Sequence, residues 1–97
     1  METTTPQGVA IKPIPYPLNE GTATRLSVTG GGNVLINTTT DVASSKLTIE
    51  STTQGFLPPR MTTTQKNAIA TPATGLMVYD TTLNLMALYN GTTWITL

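Results

Sequence analysis

TTQGFLPPRMTTTQKNAIATPATGLMVYDTTLNLMALYNGTTW, residues 52–94, is the stretch of this chain whose reading decides the fold. Gly75 to Tyr79 and Leu85 to Tyr89 are apolar runs of strand length, separated by the turn-forming cluster Asp80 to Asn84. Asn90-Gly91 is a two-residue hairpin signal, since both residue types tolerate the positive φ of tight hairpin turns, and Thr92 to Leu97 supplies a last strand. The pattern predicts a β-meander. Alternation sends Leu76 and Val78 to one face and Met77 and Tyr79 to the other, and Leu85 to Tyr89 is apolar on both sides as well. A small sheet with two apolar faces needs a covering layer on each, which a chain of 97 residues is too short to supply by itself. A neighbouring copy of the chain can provide one.

Outward from the meander, Phe56-Leu57-Pro58-Pro59 reads as a rigid corner. Thr62-Thr63-Thr64-Gln65 has the form of a capping box, which predicts a short helix from about Thr63 to Ala70, ended before Pro72. Its expected buried stripe is Ala68 and Ile69, with Met61 just ahead. Further upstream, Ala23 to Val28, Val34 to Ile36 and Lys46 to Ile49 read as short strands, punctuated by Gly30-Gly31-Gly32 and by the turn-rich Asn37 to Ser45. Strands this short leave open edges that other copies of the chain can pair. In Ile11-Lys12-Pro13-Ile14-Pro15-Tyr16-Pro17-Leu18, proline recurs at every second position and excludes both a helix and a central strand. Ile11, Ile14, Tyr16 and Leu18 are apolar anchors on a pre-extended ribbon, and Ile11, Pro13, Ile14, Pro15, Tyr16, Pro17 and Leu18 together are the expected docking segment toward another protein.

Composition narrows the function. Charged residues make up 10% of the chain, and threonine alone roughly a fifth, which gives a neutral, hydroxyl-rich surface. Lys12, Arg25, Lys46, Arg60 and Lys66 are spread singly, so no basic patch is available for nucleic acid. No apolar stretch approaches the roughly 20 residues of a membrane span, and METTTPQG lacks the features of a signal peptide. With no cysteine and no histidine, disulfides, thiolate chemistry, the usual general base and the commonest transition-metal ligand are all excluded.

What remains for chemistry is thin. Glu2, Glu20, Asp41, Glu50 and Asp80 form no close pair in sequence and are expected to be solvated turn residues. Ser44-Ser45-Lys46 offers a hydroxyl beside an amine, yet reads as a loop ahead of a strand. Tyr79, Tyr89 and Trp94 are candidates for a receptor-contacting aromatic platform or for an interface between subunits. No catalytic residue, cofactor or metal is expected, and the chain is not expected to be an enzyme.

The punctuation GFLPPRMTTTQ, then PATGLMVYDTT, then LYNGTTW resembles a segment that recurs in tail fibres and other fibres of bacteriophages, and in some surface proteins of their hosts. GNVLINTTT (32–40) followed by ASSKLTI (43–49) is similar to the "GNVGIGTT...KLTV" unit often placed in phage fibre shafts, with Leu35 and Asn37 standing where that unit has small residues or glycine. The resemblance implies an all-β, intertwined homotrimeric fibre with one short helix. Three segments are expected: an extended anchoring arm at 1–22, a short-strand shaft at 23–55, and a C-terminal knob at 56–97. The implied role is a structural virion protein, a short fibre or spike on the capsid or tail surface. The arm would dock on capsid or tail proteins, and the knob would serve host attachment. The alternative is a glycan-binding receptor-recognition tip, or a module of a bacterial cell-surface adhesin.

Overall fold

A computed structural model describes residues 18–20 and 23–97. The proline-rich Ile11, Pro13, Ile14, Pro15, Tyr16 and Pro17 lie outside the described residues. The chain divides into two compact units, 1–55 and 56–97. Each is built on a four-stranded sheet, and the one helix among the described residues is short, so the fold is all-β, with a single helical turn among the described residues. Among the described residues, no helix is long and apolar enough to cross a membrane.

In the first unit the strands are β1 (Leu18–Glu20), β2 (Ala23–Val28), β3 (Val34–Ile36) and β4 (Leu47–Ile49), in that spatial order. β1, β2 and β3 run antiparallel, and β4 pairs parallel to β3. β1 occupies three positions expected to belong to the extended arm, and Leu18 is paired there with Leu26. The β2–β3 turn closes with the Thr29 amide on the Asn33 carbonyl at 2.8 Å and the Gly32 amide on the Thr29 carbonyl at 2.9 Å. Gly32 takes φ +85°, a conformation for which glycine is the natural residue. The registers Leu26↔Ile36↔Ile49 and Val28↔Val34↔Leu47 set six aliphatic residues on one face, while Ser27, Leu35 and Thr48 share the other. Leu35 is the buried one; Val28, Leu47 and Ile49 are exposed.

In the second unit, β5 (Arg60–Met61) leads through the helix α1 (Thr63–Asn67) to β6 (Met77–Asp80), β7 (Leu85–Tyr89) and β8 (Trp94–Thr96). β5 runs parallel to β6, through amide bonds from Tyr79 to the Pro59 carbonyl and from Thr81 to the Met61 carbonyl, each 2.8 Å. β6, β7 and β8 form the meander. The capping box is present: the Thr62 hydroxyl accepts from the Gln65 amide at 3.1 Å, and Gln65 Oε1 accepts from the Thr62 amide at 2.9 Å. The helix is shorter than its sequence suggests. It is capped at Ala68, and Thr71 adopts φ +43° just before Pro72, so no helical geometry survives to Ala70.

The hairpin turn is displaced by one residue from the Asn90-Gly91 reading. Tyr89 pairs with Trp94, and the Asn90 amide reaches the Thr93 carbonyl at 3.0 Å, which leaves Gly91-Thr92 at the tip. Asn90 contributes its side chain instead: Oδ1 accepts from the amides of Thr92 and Thr93, both at 2.9 Å. The positive φ therefore falls on Gly91 alone of this pair, at +100°. The buried apolar side chains of the second unit are Val78 and Ala87, on the face toward α1.

Candidate functional site

The best-built polar cluster among the described residues joins α1 to β6. Thr63 and Lys66 are three residues apart on the helix and so share a face. That face meets Asp80, the last residue of β6, whose side chain is fully buried. The Thr63 hydroxyl lies 2.7 and 2.9 Å from the two carboxylate oxygens, and Lys66 Nζ stands 2.9 Å from Oδ2. The amides of Thr82 and Leu83 donate to Oδ1 at 2.9 and 3.0 Å, so the same carboxylate also fixes the β6–β7 turn. Asn84, at φ +59°, completes that turn with its amide 2.7 Å from the Asp80 carbonyl.

Asp80 was expected in solvent; it is instead 0% exposed, and Lys66 is 4% exposed. Burial by itself pushes the Asp80 carboxyl up. The hydrogen bonds from Thr63, Lys66 and the Leu83 amide, with the Lys66 charge, outweigh that and hold it well below the usual carboxylate range. Lys66 Nζ also lies 5.5 Å from the centroid of the Trp94 ring, within cation–π range. Trp94 meets Tyr89 edge-on, with centroids 5.3 Å apart and planes at 66°. Among the described residues every buried side-chain nitrogen or oxygen has a partner. With its acceptor positions occupied and its cation paired, the cluster works as a tie between helix and sheet.

The three aromatic candidates do not form one platform. Tyr89 and Trp94 are cross-strand partners on the α1 side of the sheet. Tyr79 pairs with Met86 on the opposite side. Leu18 enters β1, and the other docking candidates fall outside the described residues. Ser45 and Lys46 turn to separate partners: Ser45 Oγ donates to the Leu47 carbonyl at 2.8 Å, and Lys46 Nζ stands 3.4 Å from the Gly32 carbonyl. An open groove of about 450 Å³ in the first unit is lined by Arg25, Asn37 and Glu50 among others, and Asn37 ties its walls by accepting from Arg25 and donating to the Glu50 carbonyl. Among the described residues no three Asp, Glu, His or Cys side chains gather as metal ligands would.

Lys66 and Asp80 are the residues that sequence reasoning missed. Two local signals pointed to them: the three-residue spacing of Thr63 and Lys66, and an aspartate placed to accept from amides two and three residues ahead, a habit of turn-forming Asp.

No curated protein and no solved structure matches this chain. Residues 35–97, from within β3 to the end of the second sheet, match the family described as "Phage tail like trimerisation region". That span is well over half of the 97 residues, and the chain therefore belongs to this family of phage tail-type, virion-associated structural proteins that self-associate.

Proposed function

We propose that the chain is the subunit of a short trimeric fibre or spike of a bacteriophage. Residues 1–22 anchor it to the capsid or tail, and residues 56–97 project as a knob that contacts the host. The observation that carries this reading is the family match over 35–97, a region of trimerisation that takes in the whole second unit. The proline-rich run lies upstream of that match, which supports giving it a separate task. Its alternating prolines and its Ile11, Ile14 and Tyr16 suit docking at low entropic cost. The role is non-enzymatic in this reading. In support, the one carboxylate buried among the described residues spends its acceptors on Thr63, Lys66 and the β6–β7 turn.

Deleting residues 1–17, which leaves β1 in place, tests the arrangement. The truncated chain should keep its oligomeric mass and fold, yet be missing from particles assembled in cells that supply no other copy. Those particles should adsorb to host cells more slowly. Full incorporation of the truncated chain would move the anchor elsewhere, and normal adsorption by particles lacking the chain would remove host contact from its role.

A further inference from the structure

The second sheet buries the middle of one face and leaves the other open. In-register partners stand side by side, so Met77↔Leu88↔Ile95 form one row and Tyr79↔Met86 the next. The Leu97 amide bonds to the Met86 carbonyl and extends that second row. Met77, Tyr79, Met86, Leu88, Ile95 and Leu97 thus share one face. The opposite face holds Val78, Ala87 and Asp80, all buried, with α1 tied over it through Lys66. On the open face Met77 is 43%, Ile95 38% and Leu97 66% exposed. The strands of this sheet place one charged side chain there, Arg60 on the edge strand β5, in register with Tyr79.

Two contiguous apolar rows on a four-stranded sheet have the character of a domain core cut in half, which is how obligate subunit interfaces look. The first sheet repeats the arrangement with its own uncovered aliphatic face. The matched family is a trimerisation region, and its match includes every strand of the second sheet. We infer that the open face of the second sheet is the seam of self-association, and that its occupant is the same face of two further copies of this chain, the three lining a common apolar core. The inference rests on the trimeric reading above and adds to it the face that does the work. The helix side is the poorer candidate, because Val78, Ala87 and Asp80 are already buried there, its charges are paired, and Leu85 is the one large aliphatic side chain its strands leave exposed.

The full-length chain provides the test, with molar mass measured by light scattering during size exclusion. Wild type should elute with the mass of three chains. Leu88→Lys, on the central strand β7, should elute as one chain with its far-ultraviolet dichroism retained. Thr96→Lys, on the opposite face of β8 and already exposed, should remain a trimer. A monomeric wild type would overturn the trimeric reading and the seam together. A trimeric wild type with a trimeric Leu88→Lys would overturn the seam alone.

A second measurement covers the case in which Leu88→Lys does not fold. The chain has no cysteine, so Ile95→Cys and Thr64→Cys each give a unique thiol for a pyrene label. Trimers labelled at residue 95 should show excimer emission, and trimers labelled at residue 64, exposed on α1, should show none. Excimer emission at residue 64 alone, at both positions or at neither overturns the proposal.

Discussion

Gly91 concentrates two constraints on one α-carbon. Its φ of +100° is a conformation that L side chains rarely adopt, and a Cβ added there would stand 2.8 Å from Thr74 Oγ1. Gly91→Ala should therefore lower stability by about 1–3 kcal/mol, read from chemical denaturation at fixed chain concentration. Adding Thr74→Ala removes the collision and leaves the backbone strain, so the double variant should recover only part of the loss. Full recovery would show that contact with Thr74, and not the backbone, sets the requirement for glycine. The left-handed positions Asn37 and Asn84 need no such provision, because asparagine enters that region readily. Thr71 at +43° is the costly member of the set, because a β-branched residue is strained in that region.

At the scale of elements, the question is what keeps a helix of five residues in place. Such a helix is far too short to persist by itself. The capping box satisfies its first amides, and Thr63 and Lys66 attach it to Asp80. Because the same carboxylate accepts from the Thr82 and Leu83 amides, helix position and strand turn are set by one side chain. The folded-state pKa of Asp80 is depressed below its ordinary 3.8. Its contribution is therefore complete above that value and is lost as pH falls through it toward the folded pKa. Thermal unfolding of wild type should shift to lower temperature between about pH 5 and pH 2. Asp80→Asn should unfold at lower temperature at neutral pH and show a shallower decline over the same interval. An unchanged slope in the variant would remove this carboxylate from the account.

The capping box, the Asp80–Asn84 turn and the two-sided apolar character of β6 were legible in the sequence, because each depends on residues a few positions apart. The Lys66–Asp80 pair was not. It depends on the parallel register of β5 against β6, which brings the intervening helix over the sheet, and a single sequence does not display register. The charged Lys66 took the buried place expected for Ala68 and Ile69 because the helix stops too early to present them as a stripe. The aromatic trio was scattered by parity. Tyr79 and Met86 are partners, and Tyr89 lies three residues beyond Met86, which puts it on the other face.

For the whole molecule, the balance of buried and exposed apolar residues is the governing fact. Among the described residues the buried apolar side chains are Leu35, Val78 and Ala87, while Val28, Leu47, Ile49, Met77, Ile95 and Leu97 are exposed on the open sheet faces. Small units with so little core are marginal unless something else buries their surface. If further copies supply that cover, association stabilises the fold, and stability must depend on chain concentration. Raising the concentration tenfold should then raise the unfolding midpoint of wild type by about 5 °C. Leu88→Lys, deprived of the seam, should unfold at a lower temperature that does not move with concentration. A wild-type midpoint independent of concentration, at concentrations spanning its dissociation, would mean that each chain is stable with its apolar faces in water. The open faces would then have no part in stability, and a fibre held together by them would have to be abandoned.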